Sequence, residues 1–344
     1  MIISLPIVVQ QDIKSYNQYA LPLCVAFTER NFFPWIYKQF IQIKSAKIIY
    51  SNSDHLDYCL RENETVTYDS LYKEIMDIKF FSINSINKIS DITDFIRKSI
   101  LNGNYILLWM DDYFIKVKNA YNSYHLIHPS LIYGVDGDEK IFAAVGFTKK
   151  EHFESFTIDF DEIIKAVNKM CEKNDYKNFT GMYQLKLKQN HSAGIFTRVE
   201  FLKIVHDYLH PYKLDPDFVY GYDVYSVVLQ NLINPLVPQV YIKYNTIHLL
   251  YEHKKTFYKA LQYNLTGNSN KNNSLMLEEY LKVINAFEEL RFLYIKSKLT
   301  EESKDFGKIT SKQNADKLYN KIISASETEK QIVLEIYDKL CEIF

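Results

Sequence analysis

The feature that most limits how this chain can fold is a change of hydrophobic periodicity near residue 190. Before that point, β-branched or alternating segments such as KSAKIIYS and FTGMYQLKLK are interleaved with helix-period segments such as DITDFIRKSILNG. After it, helix-period segments follow one another to the end of the chain. A period of two is typical of strands and a period near 3.6 of helices. The pattern therefore predicts an α+β domain over residues 1–190 and an all-helical domain over residues 191–344.

Local signals in the first domain predict an antiparallel sheet. NYILLWMDD, residues 104–112, is an apolar run of strand length that ends in two carboxylates. HPSLIYGVDGDEKIFAAVGF contains two apolar strands around a turn rich in Gly and Asp, which indicates a hairpin. DITDFIRKSILNG has a capping residue, Asp91, at its start and Gly103 at its end, as a helix should.

Two local signals concern the helical domain. Ser326 with Glu329 three residues later predicts a capping box that starts the last helix. TGNSNKNNS, residues 266–274, is polar and of low complexity, which predicts an interhelical loop.

The bulk composition excludes several classes of function. Lys+Arg is 41 and Asp+Glu is 42, so the chain lacks the basic surplus that nucleic acids or anionic membranes attract. No apolar run approaches the roughly 20 residues of a membrane span, and MIISLPIVVQQDIK resembles a first strand rather than a signal peptide. The four cysteines form no CxxC pair, so we expect neither disulfides nor a zinc knuckle but a cytoplasmic setting.

The sequence also gives no support for a metal or cofactor. His55 with Cys59, and His206 with His210, have the four-residue spacing that can place ligands on one helix face, but each pair lacks a visible third ligand. The chain contains neither GxxxxGK[ST] nor GxGxxG, so a phosphate-cradling loop is not indicated.

Cys24 is the residue whose neighbours most favour covalent chemistry. Pro22 precedes it, and VAFTERNFF follows as a short helix-like run. A thiol at a helix N-terminus is activated, because unpaired amides and the helix dipole stabilise the thiolate. The sequence therefore predicts Cys24 at a helix start as a nucleophile, with its own N–H and the Gln18 side chain as oxyanion donors. The alternative is that Cys24 is an ordinary buried core residue.

A cysteine nucleophile needs a base, usually a histidine that is distant in sequence. His128, which opens the strand HPSLIYG, is the candidate, and His125 is its competitor. Antiparallel pairing of NYILLWMDD with that strand would bring Asp111 or Asp112 beside His128, where a carboxylate fixes the tautomer. The alternative is that these two carboxylates form a solvated strand end.

The order Gln-x5-Cys followed by His-x5-Gly resembles papain-like cysteine enzymes, notably the bacteriocin leader peptidases. Three further segments, scattered over both halves of the chain, resemble relatives of butirosin biosynthesis protein H: PWIYKQFIQI, WMDDYFIKVKNAYNSYHLIHPSLIYGVD and HLLYEHKKTFYKAL. The amide-forming enzyme of closthioamide biosynthesis is a related precedent. One departure is that KIFAAVGF lacks the Asp or Asn that the papain-like pattern places at the end of the strand after the histidine.

This resemblance implies a papain-like catalytic domain and an acyltransferase of antibiotic or other natural-product biosynthesis. Such an enzyme uses no cofactor, takes an acyl group from a carrier-protein or other thioester, and passes it to a small-molecule amine as an amide. The catalytic residues would be Cys24 and His128 with Asp111 or Asp112. The alternatives are a papain-like hydrolase or peptidase and an inactive papain-fold binding protein, which the missing carboxylate after His128 motivates. A homodimer is compatible with each of them.

Overall fold

The computed structural model describes residues 2–47, 56–60, 68–149, 152–172, 180–189, 196–211, 215–233, 243–265, 271–300, 309 and 311–343. Its contacts divide the chain into two compact units. The first unit comprises Met1–Phe32 with Thr65–Ala193, and the second comprises Phe33–Glu64 with Gly194–Phe344. The predicted α+β class is confirmed, with a large antiparallel sheet and a helical C-terminal region.

The regular elements are named in chain order. The described strands are β1 (Ile2–Ser4), β2 (Ile43–Ala46), β3 (Leu56–Tyr58), β4 (Met76–Ser82), β5 (Tyr105–Asp111), β6 (Ile127–Asp136), β7 (Ile141–Phe147), β8 (Phe153–Asp159), β9 (Gly181–Leu187) and β10 (Phe218–Tyr220). The described helices are α1 (Asn17–Ala26), α2 (Phe33–Gln39), α3 (Tyr68–Tyr72), α4 (Ile83–Ile86), α5 (Ile92–Leu101), α6 (Phe160–Glu172), α7 (Arg198–Leu209), α8 (Val224–Ile233), α9 (Tyr244–Leu265), α10 (Lys271–Leu299) and α11 (Lys312–Ile343).

The first unit is built on an antiparallel sheet of order β4-β9-β5-β6-β7-β8, with β1 also pairing with β6. The predicted hairpin is confirmed as β6 and β7, with Asp136 opposite Ile141. β5 pairs with β6 so that Met110 lies opposite His128. The end of β5 therefore lies beside the beginning of β6, as the two apolar runs predict.

Helix α5 covers one part of this sheet, and its predicted limits are also confirmed. The Asp91 carboxylate accepts a hydrogen bond from the Asp94 N–H at 2.9 Å and so caps the first turn. Gly103 follows the helix with φ of +77°, a left-handed conformation that glycine adopts without steric cost. Ile96 of α5 is buried in the same apolar core as Ile106 of β5, so the cap and the glycine fix a helix that supports the central strand.

The second unit combines α7–α11 with a small antiparallel sheet of order β10-β2-β3. Two predictions for its helices are wrong. Ser326 does not cap a new helix, because it lies inside α11, where its hydroxyl donates to the Ile323 carbonyl. The loop predicted over residues 266–274 ends earlier, because α10 begins at Lys271, and residues 266–270 lie outside the described residues.

A fully buried ionic network lies in the core of the second unit. The Lys254 ammonium is 2.5 Å from a Glu329 carboxylate oxygen. The Tyr208 and Tyr225 hydroxyls donate to the two oxygens of the same carboxylate, at 2.8 Å and 2.5 Å. Lys254 also donates to Nδ1 of His253 at 2.8 Å. The polar atoms of this cluster thus satisfy one another away from water.

This network predicts that acid destabilises the second unit through His253. Burial and the charge of Lys254 hold the pKa of His253 well below its ordinary 6.5. Below about pH 6.5, His253 is protonated in the unfolded chain but stays neutral in the folded chain. The free energy of unfolding therefore falls by up to about 1.4 kcal/mol for each unit by which the pH is lowered. Urea denaturation at several pH values should show this slope in the wild type and in the exposed-site control His206→Gln. A slope of the same size in His253→Gln would contradict the assignment.

Candidate active site at the start of helix α1

Helix α1 begins at Asn17, so the prediction that Cys24 starts a helix is wrong. Cys24 lies two turns further along, near the C-terminal end. The reason is that Pro22 does not stop the helix. A proline at this position leaves the Gln18 carbonyl without its intrahelical donor. The Tyr72 hydroxyl takes that role, donating to the Gln18 carbonyl at 3.4 Å.

Cys24 lies in the apolar core of the first unit. Its side chain is fully buried, and so are its helical neighbours from Tyr19 onward. Burial raises the pKa of the Cys24 thiol to about 12, and the positive charge of Lys14 opposes this only in part. The thiol is therefore protonated at neutral pH, and only the thiolate is nucleophilic. This environment matches the alternative interpretation of Cys24 as a core residue, and the assignment of Cys24 as nucleophile stays a prediction.

The imidazole of His128 connects the start of α1 to the end of β5. Its Nε2 lies 2.6 Å from Nδ2 of Asn17, the first residue of the helix. Its Nδ1 lies 3.4 Å from Oδ2 of Asp112. Within the residues that the structure describes, neither a hydrogen bond nor an ion pair joins His128 to Cys24. At 1.5 Å of rise per residue, Cys24 is about 10 Å further along the helix axis than Asn17.

The two carboxylates at the end of β5 have different partners. Asp111 is fully buried and lies 2.6 Å from Nδ1 of His125. Its Oδ1 also accepts hydrogen bonds from the backbone N–H groups of Tyr113 and Leu126. The structure therefore contains two neighbouring His–Asp pairs, and Asp112 rather than Asp111 lies beside His128. The His125 ring is additionally stacked on Tyr113, with ring centroids 4.5 Å apart.

The two predicted oxyanion donors lie in different surroundings. The Cys24 amide lies inside α1, where backbone N–H groups bond to the preceding turn. Gln18 is the second residue of α1, and its side chain is exposed. In the described part of the first unit, the backbone N–H groups of Asn17 and Gln18 have no hydrogen-bond acceptor, as is usual for the first residues of a helix. These two amides are the free donors closest in sequence to the His128 contact.

Three side-chain atoms near His128 are buried without a hydrogen-bond partner among the described residues. They are Oδ1 of Asn17, Oδ1 of Asp112 and Oγ of Ser130. Ser130 follows His128 by two residues on β6, so both side chains project from the same face of the strand. Buried polar atoms in native proteins nearly always bond to protein, water or a ligand. In the described residues these three atoms thus lack the hydrogen-bond partner that buried polar atoms usually have.

Sequence reasoning missed Asn17. Asparagine is favoured at the N-cap of a helix, but the N-cap of α1 is Tyr16, so the capping preference gives no signal for Asn17. Asn17 was not predicted as a site residue because Pro22 was interpreted as a helix stop. That interpretation placed the expected helix start at Cys24 instead of Asn17.

The two sequence pairs with metal-ligand spacing are His206 with His210 and His55 with Cys59. The rings of His206 and His210 have centroids 5.1 Å apart on the exposed side of α7. His55 lies outside the described residues. Over the described ranges, no group of three or more His, Cys, Asp or Glu side chains is placed to hold a metal ion.

Two whole-chain findings bear on the class of this protein. Of the helices in the described ranges, none combines the length and the apolar character needed to cross a bilayer. Neither the protein-family models nor the curated proteins include a match to this chain.

Proposed function

We propose that the first unit is a papain-like fold in which Asn17 occupies the place of the nucleophile. In the papain-like arrangement, the nucleophile starts a helix, the base starts a strand and a third residue orients the base. Asn17 starts α1, His128 lies at the beginning of β6, and Asp112 faces the second ring nitrogen. A carboxamide has no ionisable proton and does not form acyl-enzymes. The protein is accordingly a non-covalent binding protein on an enzyme-like frame.

The chemistry of this position indicates the ligand class. The free N–H groups of Asn17 and Gln18, together with the helix dipole, favour a partially negative oxygen such as a carbonyl. The buried Oδ1 of Asn17 can accept an N–H from the same ligand. An acyl thioester of a carrier protein or of a small thiol has the required carbonyl oxygen. An amide has both the carbonyl oxygen and the N–H group. The observation that carries the proposal is the 2.6 Å contact between Asn17 and His128.

A second candidate is the cysteine-dependent acyltransferase that the resemblance implies. It is favoured by the His128–Asp112 pair, whose separation of 3.4 Å suits a base and its orienting carboxylate. The Cys24 sulfur would attack the thioester carbonyl and release the donor thiol, and an amine would then take the acyl group as an amide. With water as the acceptor, the same steps give a hydrolase. Both reactions need Cys24 to become exposed and to ionise despite a pKa of about 12.

One set of measurements tests both candidates. The probe is an acyl N-acetylcysteamine thioester, followed by intact-protein mass spectrometry and by an NMR binding titration. We expect no mass gain, and binding that survives in Cys24→Ala but weakens about tenfold in Asn17→Ala, equivalent to losing a strong hydrogen bond. Asn31→Ala, at an exposed position five residues beyond the last residue of α1, is the control and should bind like the wild type.

The alternative outcomes are distinct. A mass gain that is lost in Cys24→Ala would contradict non-covalent binding and establish the second candidate. Adding an amine or only water would then separate the transferase from the hydrolase. A chain that gains no mass and binds the thioester no better than Asn17→Ala does would overturn both candidates.

A further inference from the structure

Lys118 is a buried cation joined to Asp112 of the candidate site by two consecutive turns, in which the Ile115 N–H donates to the Asp112 carbonyl at 3.2 Å and the Lys118 N–H to the Ile115 carbonyl at 3.0 Å. Its side chain is 1% exposed, and its ammonium donates to the Phe147 carbonyl at 2.9 Å. The same nitrogen lies 5.0 Å from the centre of the Phe156 ring, which favours a cation. Burial lowers the pKa of Lys118, and the negative charge of Asp112 opposes that change. A buried ammonium needs such a charge, and Asp112 is the carboxylate that also faces His128.

The position of Gly146 shows that Lys118 and Ser130 face one spot. A Cβ built on Gly146 would lie 3.2 Å from the Ser130 hydroxyl and 3.3 Å from the Lys118 nitrogen. Among the described residues, the Ser130 hydroxyl has no hydrogen-bond partner, and the three Lys118 donors have one acceptor, the Phe147 carbonyl. Buried polar groups with spare bonding capacity commonly hold ordered water.

We propose that Lys118 is a positioning residue of the His128 site. Lys118, Ser130 and the inner oxygen of Asp112 form a buried polar compartment that holds ordered water. The positive charge of Lys118 attracts the Asp112 carboxylate, and that carboxylate accepts a hydrogen bond from Nδ1 of His128, which fixes the proton on Nδ1. Nε2 is then free to accept from the Asn17 amide at 2.6 Å. The inference deepens the proposed function, on which it rests for the role of His128 beside the ligand.

The tautomer of His128 tests this proposal directly. Nitrogen NMR of the imidazole, at about pH 8 where an ordinary histidine is neutral, distinguishes the protonated ring nitrogen from the bare one. We expect the wild type to carry its proton on Nδ1, and Lys118→Met to lose that preference. The matched control is Lys116→Met, two residues away, because Lys116 is exposed and pairs with Asp159 at 2.6 Å. Its His128 signals should equal those of the wild type.

A second variant covers the case in which Lys118→Met does not fold. Gly146→Ala keeps every charge but pushes a methyl group against Lys118 and Ser130, so it should also weaken the Nδ1 preference. A wild-type His128 with its proton on Nε2, or an unchanged tautomer in a folded Lys118→Met or Gly146→Ala, would overturn the proposal. These spectra are recorded without ligand, so their outcome is separate from that of the thioester titration.

Discussion

Replacing Asn17 with cysteine is expected to create a thiol that reacts with iodoacetamide about a thousandfold faster at neutral pH than Cys24 does. Burial raises the pKa of Cys24 to about 12, against an ordinary value of 9.0. At a fixed pH, this difference corresponds to about a thousandfold smaller thiolate fraction. A thiol at residue 17 would instead lie at the start of α1 and beside His128, two surroundings that favour the thiolate further.

The design needs controls for exposure alone. The variant is best made in a Cys24→Ala background, with the alkylated peptides identified by mass spectrometry. Cys341 is exposed and serves as an internal reference in every sample. Asn31→Cys supplies an exposed thiol beyond the C-terminal end of α1, at a residue for which the described part of the chain shows no histidine contact. An introduced thiol at residue 17 that reacts no faster than the one at residue 31, at about pH 6.5, would show that His128 does not activate this position.

The second large effect concerns the buried ionic network of the second unit. Glu329→Gln should lower the free energy of unfolding by about 3–5 kcal/mol, because it leaves the Lys254 ammonium buried without a counter-charge. Burial already lowers the pKa of Lys254 to about 8, and Glu329 is the charge that opposes a further decrease. Tyr208 and Tyr225 would also lose a charged acceptor. Urea denaturation followed by tryptophan fluorescence measures the change.

A surface ion pair of the same unit provides the comparison. Lys321 and Glu289 are 2.5 Å apart, with side chains 28% and 67% exposed, so Glu289→Gln should cost less than about 1 kcal/mol. The double variant Lys254→Met, Glu329→Leu should regain much of the lost stability, because it removes both charges and keeps the volume. If Glu329→Gln costs no more than Glu289→Gln, the network does not contribute as the burial of its members implies.

The parts of the structure that the sequence predicts correctly depend on local patterns. The runs of β5, β6 and β7 are apolar and separated by turn signals, so their antiparallel pairing follows from chain order. That pairing was sufficient to predict that a carboxylate at the end of β5 approaches His128. The limits of α5 were predictable for the same reason, since Asp91 and Gly103 act within one turn of the helix.

The parts that the sequence does not predict depend on residues distant in sequence. Pro22 is tolerated within α1 because Tyr72, fifty positions later, bonds the freed Gln18 carbonyl. Glu329 has the spacing of a capping box, yet its carboxylate binds Lys254 from another helix. A local pattern cannot distinguish these cases, because the deciding partner is brought close only by the tertiary fold. Asn17 was missed through the first of these errors.

The partner of His128 is the central question, and nuclear Overhauser contacts to its ring protons measure it most directly. In protein labelled selectively at asparagine, cysteine and histidine, we expect contacts between the Asn17 side-chain amide protons and the His128 ring. Contacts from the Cys24 β-protons to that ring, without any from Asn17, would contradict the contact between Asn17 and His128. They would instead support Cys24 as the nucleophile.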